Sequence, residues 1–144
     1  GHVANPAGLI TPRLGALHFY EMALEAPAAP AGSFDPAAAA RGKTVFQGAG
    51  KCAACHVAPL FTEPGWNMHS GAEIGIDDFQ ANRAPDHKYR TAPLRGLQTH
   101  AKGGFYHDGR FATLADVIAH YDAALGLALP PASTSDLVEY LKSL

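Results

Sequence analysis

Cys52-Ala53-Ala54-Cys55-His56 holds both cysteines of the chain, and a histidine follows the second directly. This C-x-x-C-H spacing is the attachment signature of a c-type haem. Two thiols three positions apart can reach the two vinyl groups of one porphyrin. The imidazole of the next residue then comes up beneath the iron as the proximal ligand. The competing readings are a redox dithiol or half of a zinc site. A zinc site usually needs a second pair of soft ligands, and there is no third cysteine. A thioredoxin-like pair needs a βαβ context, and no run of residues here reads as a strand.

Working outward, 144 residues suit one domain. Hydrophobic residues make up 47%, much of it alanine, so the set of large apolar side chains is modest. A buried porphyrin supplies the missing core, as a ligand of the folded state does. The net charge of −2 gives no nucleic-acid footprint. No apolar run approaches the roughly 18 residues of a membrane span. Haem c attachment belongs outside the cytoplasm, which implies a periplasmic or otherwise exported protein whose leader is not in this stretch. Gly1-His2 reads as a cloning remnant.

Before the motif, residues 1–34 read as an N-terminal strap or linker and residues 35–144 as the haem domain. Thr11-Pro12 predicts the start of a short helix of mixed periodicity. Asp35-Pro36 predicts an N-cap followed by proline at the first helical position. That helix runs to Gln47, and Ala39, Gly42 and Ala49 keep one side small enough for another helix to cross closely.

After the motif, 59–86 is rich in glycine and proline. It carries Trp66, Met68 and His69, an aromatic, a thioether and an imidazole within four positions. A long loop without regular structure is expected where it wraps a cofactor. Phe105, Tyr106 and His107 lie among glycines, which suits backbone passing close to that cofactor. Thr113 with Asp116 predicts a capping box opening a helix from Leu114 to Leu125, with Gly126 as its cap. Leu114, Val117, Ile118, Tyr121 and Leu125 form its apolar face. Pro130-Pro131 reads as a linker, and Ser133 or Ser135 as the cap of a last helix with Leu137, Val138, Leu141 and Leu144 as its stripe. The fold class is all-α: a cytochrome c fold of three to five helices with long loops wrapped around one covalent haem c.

The segment from Arg41 to Leu144, about 70% of the chain, resembles the C-terminal haem domain of the bacterial di-haem cytochrome c peroxidase and MauG-like family. The residues that carry the resemblance are the haem motif, Pro-Leu-Phe-Thr at 59–62, and Arg-Thr-Ala-Pro-Leu-Arg-Gly-Leu at 90–97. Gly-Phe-Tyr-His-Asp-Gly-Arg-Phe-Ala-Thr-Leu at 104–114 and Asp-Leu-Val-Glu-Tyr-Leu-Lys-Ser-Leu at 136–144 complete it. The resemblance implies thioether bonds at Cys52 and Cys55, His56 as proximal ligand, and Arg95 near a haem propionate, where a guanidinium is a bidentate partner. It also puts Tyr121 in the slot of the sixth iron ligand. Peroxidases of the family use two haems, whereas this chain holds one attachment motif, so the implied partner is a redox protein or a second haem domain.

Three residues compete for the sixth position, in the order Tyr121, Met68, His69. Tyr121 lies 65 positions after His56, far enough for the chain to circle the porphyrin. Met68 would make a high-potential carrier and His69 a lower-potential one. His107, beside Asp108, suits a distal pocket, and His120 is a weaker candidate still. Glu63 and Glu73 read as scattered carboxylates. No P-loop, H-E-x-x-H or G-x-S-x-G is present, so other enzyme classes have no footing. An electron-transfer domain, a piece of a two-haem oxidoreductase and a haem sensor with an open distal site are the functional readings.

Overall fold

The computed structural model describes residues 8, 10–63, 66–99 and 102–144. Gly1, His2 and His100 lie outside them. Among the described residues the regular structure is α-helical, with four helices, single 3-10 turns and two isolated bridges, His69 with Tyr89 and Phe105 with Phe111. The expected all-α class holds.

Helix α1 (Leu14–Ala23) follows a 3-10 turn at Thr11–Arg13. The cap position falls on Ile10 rather than Thr11, and no side chain caps the helix. Its mixed periodicity has a direct consequence: α1 buries none of its residues, and Phe19 and Tyr20 stand in solvent. The extended segment after it is tied down. Gln98 Nε2 donates to the Pro27 carbonyl at 3.0 Å.

Helix α2 (Pro36–Gln47) starts as its sequence dictates. The Asp35 carboxylate accepts from the backbone N–H groups of Ala37 and Ala38 at 2.8 and 3.1 Å. These are two of the donors that a helix start leaves unpaired. Ala38, Ala39, Gly42 and Phe46 form its buried face. That face packs along α4 (Pro131–Lys142), whose Leu137, Tyr140 and Leu141 are buried opposite. Phe46 and Leu137 are the two largest fully buried side chains. Each contributes about 1.5–3 kcal/mol by leaving water. Arg41 grips the Asp136 carboxylate in bidentate fashion at 2.8 and 2.6 Å, and the Asp35 N–H donates to Glu139 at 2.7 Å.

Helix α3 (Leu114–Leu125) carries the full Thr113/Asp116 capping box and ends on Gly126 at φ 59°. Its inward face is Leu114, Val117, Ile118 and Tyr121; Leu125, expected to continue that face, is exposed. The start of α4 differs from expectation. The helix begins at Pro131, the cap position is Pro130, and neither Ser133 nor Ser135 caps it. Proline at the first helical position loses nothing, because its missing N–H would have had no partner there. Between α2 and α3, the described residues of the connecting segment carry four 3-10 turns and the two bridges in place of α-helix. The chain end is tied to this segment: Gly96 N–H donates to the Leu144 carbonyl at 2.8 Å.

Candidate haem-attachment site

The cysteine turn hangs directly from the end of α2. Gly50 N–H donates to the Val45 carbonyl at 2.8 Å, and a Cβ on Gly50 would sit 2.9 Å from that oxygen and 3.3 Å from Cys52 Sγ. Only glycine lets the chain turn this tightly into the motif. Lys51 takes a left-handed conformation (φ 54°), and Cys52–Ala54 form a 3-10 turn. His56 N–H donates back to the Cys52 carbonyl at 2.9 Å, so both thiols and the imidazole leave one compact turn.

The imidazole is oriented from behind. His56 Nδ1 lies 3.1 Å from the Phe61 carbonyl. A carbonyl only accepts, so Nδ1 carries the proton, and the Ala92 carbonyl also acts on the ring. Burial holds the His56 pKa below the usual imidazole value, which favours that neutral form. Phe46 of the core flanks the ring, with centroids 6.5 Å apart. Both cysteines are free and partly buried. Burial pushes the Cys52 thiol up to about 11 and also raises Cys55, where the charges of Glu63 and Glu73 add to the effect. The thiols are therefore protonated and quiet at neutral pH. Two thiols at this spacing and an adjacent neutral imidazole fit the attachment and ligation of one haem.

Tyr121 of α3 points toward this turn. Burial raises its pKa, the Tyr106 hydroxyl pulls it back down in part, and the nearby Cys55 and Cys52 add to the rise. Tyr106 accompanies it with ring centroids 5.9 Å apart, and packs edge-on against Phe111 at 4.9 Å. The Tyr106 hydroxyl is buried without a hydrogen-bond partner among the described residues. Burial first, then Tyr121, pushes its pKa far above the ordinary phenol value. The two hydroxyls influence each other without a well-formed hydrogen bond between them.

His69 is 5% exposed, and its Nδ1 lies 2.9 Å from Glu73 Oε1. The carboxylate accepts, so Nε2 holds the lone pair, and it is buried without a partner among the described residues. His69 is close enough to His56 that a positive charge on it would oppose protonation of His56. Met68 is only half-buried. His69 therefore resembles a preorganised ligand more closely than Met68 does. Glu73, read from sequence as one scattered carboxylate, anchors His69 from four residues on. Glu63, read the same way, has a buried oxygen without a partner among the described residues and acts on both Cys55 and His56. The i,i+4 spacing of His69 and Glu73 was the available signal; for Glu63 there was none.

The other expected residues are dispersed. Trp66 is 78% exposed, and Phe105 packs against the helical core. His107 Nε2 faces Asp77 at 3.4 Å, and its ring lies on Tyr89. Arg110 bridges Asp77 and Asp108 beside it. Arg110 sets one positive charge against the two carboxylates of this cluster. His120 Nε2 donates to the Ile74 carbonyl at 3.0 Å and ties α3 to the loop. Arg95 lines a cavity of about 510 Å³ behind the loop of Phe61, together with Arg90 and Thr62 and opposite Glu21, Met22 and Glu25. Neither cysteine nor His56 lines that cavity.

Over 122 residues the chain is 30% identical to the methylamine utilization protein MauG of Methylorubrum extorquens. The chain is similar to MauG. The match covers 74% of this chain and 34% of MauG, so the chain spans about a third of that relative's length. No family model matches, and no solved structure does.

Proposed function

We propose that the chain is a c-type cytochrome domain carrying one covalent haem and passing electrons through its iron in the periplasm. The observation that carries this reading is the cysteine turn: two free thiols at the attachment spacing beside an imidazole whose Nδ1 is held by the Phe61 carbonyl. When bound, the haem supplies one-electron exchange. Cys52 and Cys55 would hold it, and His56 would ligate its iron. Tyr121 is the first choice for the opposite face, with His69 next. Among the described residues no helix is long and apolar enough to cross a membrane.

A second reading has its own support. The chain covers a third of MauG, and α1 presents Leu14, Leu17, Phe19 and Tyr20 to solvent. Both suit a haem domain that works beside another in a larger oxidoreductase of the peroxidase or MauG-like kind. By itself the domain is then an electron-handling half rather than a complete enzyme.

Absorption spectra of the oxidised and reduced protein, with added cyanide and carbon monoxide, test these readings. A six-coordinate ferric iron that resists cyanide supports the carrier. A high-spin ferric iron that takes up cyanide readily removes it, and carbon monoxide binding to the reduced form then points to an open-site sensor.

A further inference from the structure

Tyr106 combines two unfavourable features in one side chain. It is a non-glycine residue at φ 72°, in the left-handed region. Its buried hydroxyl has no hydrogen-bond partner among the described residues. Strain and an orphaned polar group persist only where the surroundings overdetermine them, and they concentrate at functional sites.

The surroundings here are explicit. Phe105 N–H donates to the Phe111 carbonyl at 2.8 Å, closing the loop. A Cβ on Gly104 would lie 2.4 Å from the Gly109 carbonyl oxygen, and one on Gly109 would lie 2.2 Å from that of Gly103. The loop is cinched backbone to backbone, and the Arg110 clamp on Asp77 and Asp108 fastens its rim. Phe111 and His120 then seat the ring at 4.9 and 5.3 Å. This frame holds the hydroxyl toward Tyr121, whose ring centroid is 5.9 Å away.

We infer that Tyr106 is a positioning residue for the sixth iron ligand, its hydroxyl donating a hydrogen bond to the phenolate oxygen of iron-bound Tyr121. The inference rests on the reading of Tyr121 as that ligand. Tyr121 as a free phenol can offer its own proton elsewhere; as an iron-bound phenolate it becomes a strong acceptor, and the waiting Tyr106 O–H is satisfied. Such a bond withdraws electron density from the phenolate. It makes Tyr121 a weaker donor to ferric iron and raises the midpoint potential. Plain packing of Tyr106 on Phe111 and His120 would need the ring but not the hydroxyl.

The test is resonance Raman spectroscopy and potentiometry of the haem-loaded protein, comparing wild type, Y106F and Y121F. Phenolate modes are expected in the ferric wild type and are lost in Y121F. In Y106F they persist but shift, their sensitivity to exchange into D2O disappears, and the midpoint potential falls. Unchanged modes, D2O response and potential in Y106F overturn the inference while leaving Tyr121 as ligand. Absence of phenolate modes in the wild type removes the ligand reading and the inference together. Y106F keeps the ring, and equal melting of Y106F and wild type shows that the frame is intact.

Discussion

Gly42 of α2 lies directly under the backbone of Asp136 in α4. A methyl group on Gly42 would sit 2.0 Å from the Asp136 carbonyl oxygen and 2.9 Å from Tyr140 Cβ. The crossing is as close as two helical backbones allow. It brings Phe46 onto Tyr140, with ring centroids 5.2 Å apart, and holds the end of α2 from which the cysteine turn hangs.

Gly42→Ala therefore cannot be absorbed by a side-chain rotation. The helices must separate, and the expected loss is about 3 kcal/mol, at the upper end of overpacking effects. Chemical denaturation of the two proteins measures it. Equal midpoints would show that the crossing is looser than described.

Phe46→Ala removes the most buried aromatic of the core, the ring that touches Tyr140, Phe61 and His56. A loss of about 3–5 kcal/mol is expected. The flank of His56 is also lost, so the haem spectrum should broaden even where the variant remains folded. A stable variant with an unaltered spectrum would contradict this.

Attachment can be read without any assay of activity. Cys52→Ala with Cys55→Ala should abolish haem that survives denaturing electrophoresis. His56→Gly, which keeps both thiols, should retain attached haem but with altered iron ligation. Covalent haem in the double variant would remove the thioether reading.

The Arg110 clamp predicts a dependence on acid. Hydrogen bonding to Arg110 holds Asp108 at about 2, against an ordinary 3.8. Asp77 is lowered too, first by the Phe79 N–H and then by Arg110. For a carboxylate whose folded pKa is depressed, the unfolded chain binds the proton more readily. The contribution is complete above 3.8 and is lost as pH falls through the interval down to about 2. Arg110→Gln should flatten this part of the stability profile. Thermal melts across that interval check it, and parallel profiles for the two proteins would refute it.

The three well-packed helices were legible because their signals are local. Asp35-Pro36 and Thr113 with Asp116 are cap chemistry that needs only a few neighbouring residues, and both caps form as expected. Pro130-Pro131 misled for the same reason. A proline pair reads as a break, yet its second member is the first residue of α4, and only packing against α2 reveals that a helix follows immediately. The small residues of α2 foretold a close crossing; that Asp136 lies above Gly42 could come only from the folded chain.

The same division runs through the site. The candidate residues Cys52, Cys55 and His56 were legible in the sequence alone, because the proposed attachment demands a fixed spacing within one turn. Which groups face them from across the loop was decided by tertiary structure. The seating of Tyr106 beside Tyr121, the anchoring of His69 by Glu73 and the diversion of His107 to Asp77 depend on how the described residues between α2 and α3 pack on the helices. That path is set by burial and backbone closure between distant residues, and no local pattern of residue types encodes it.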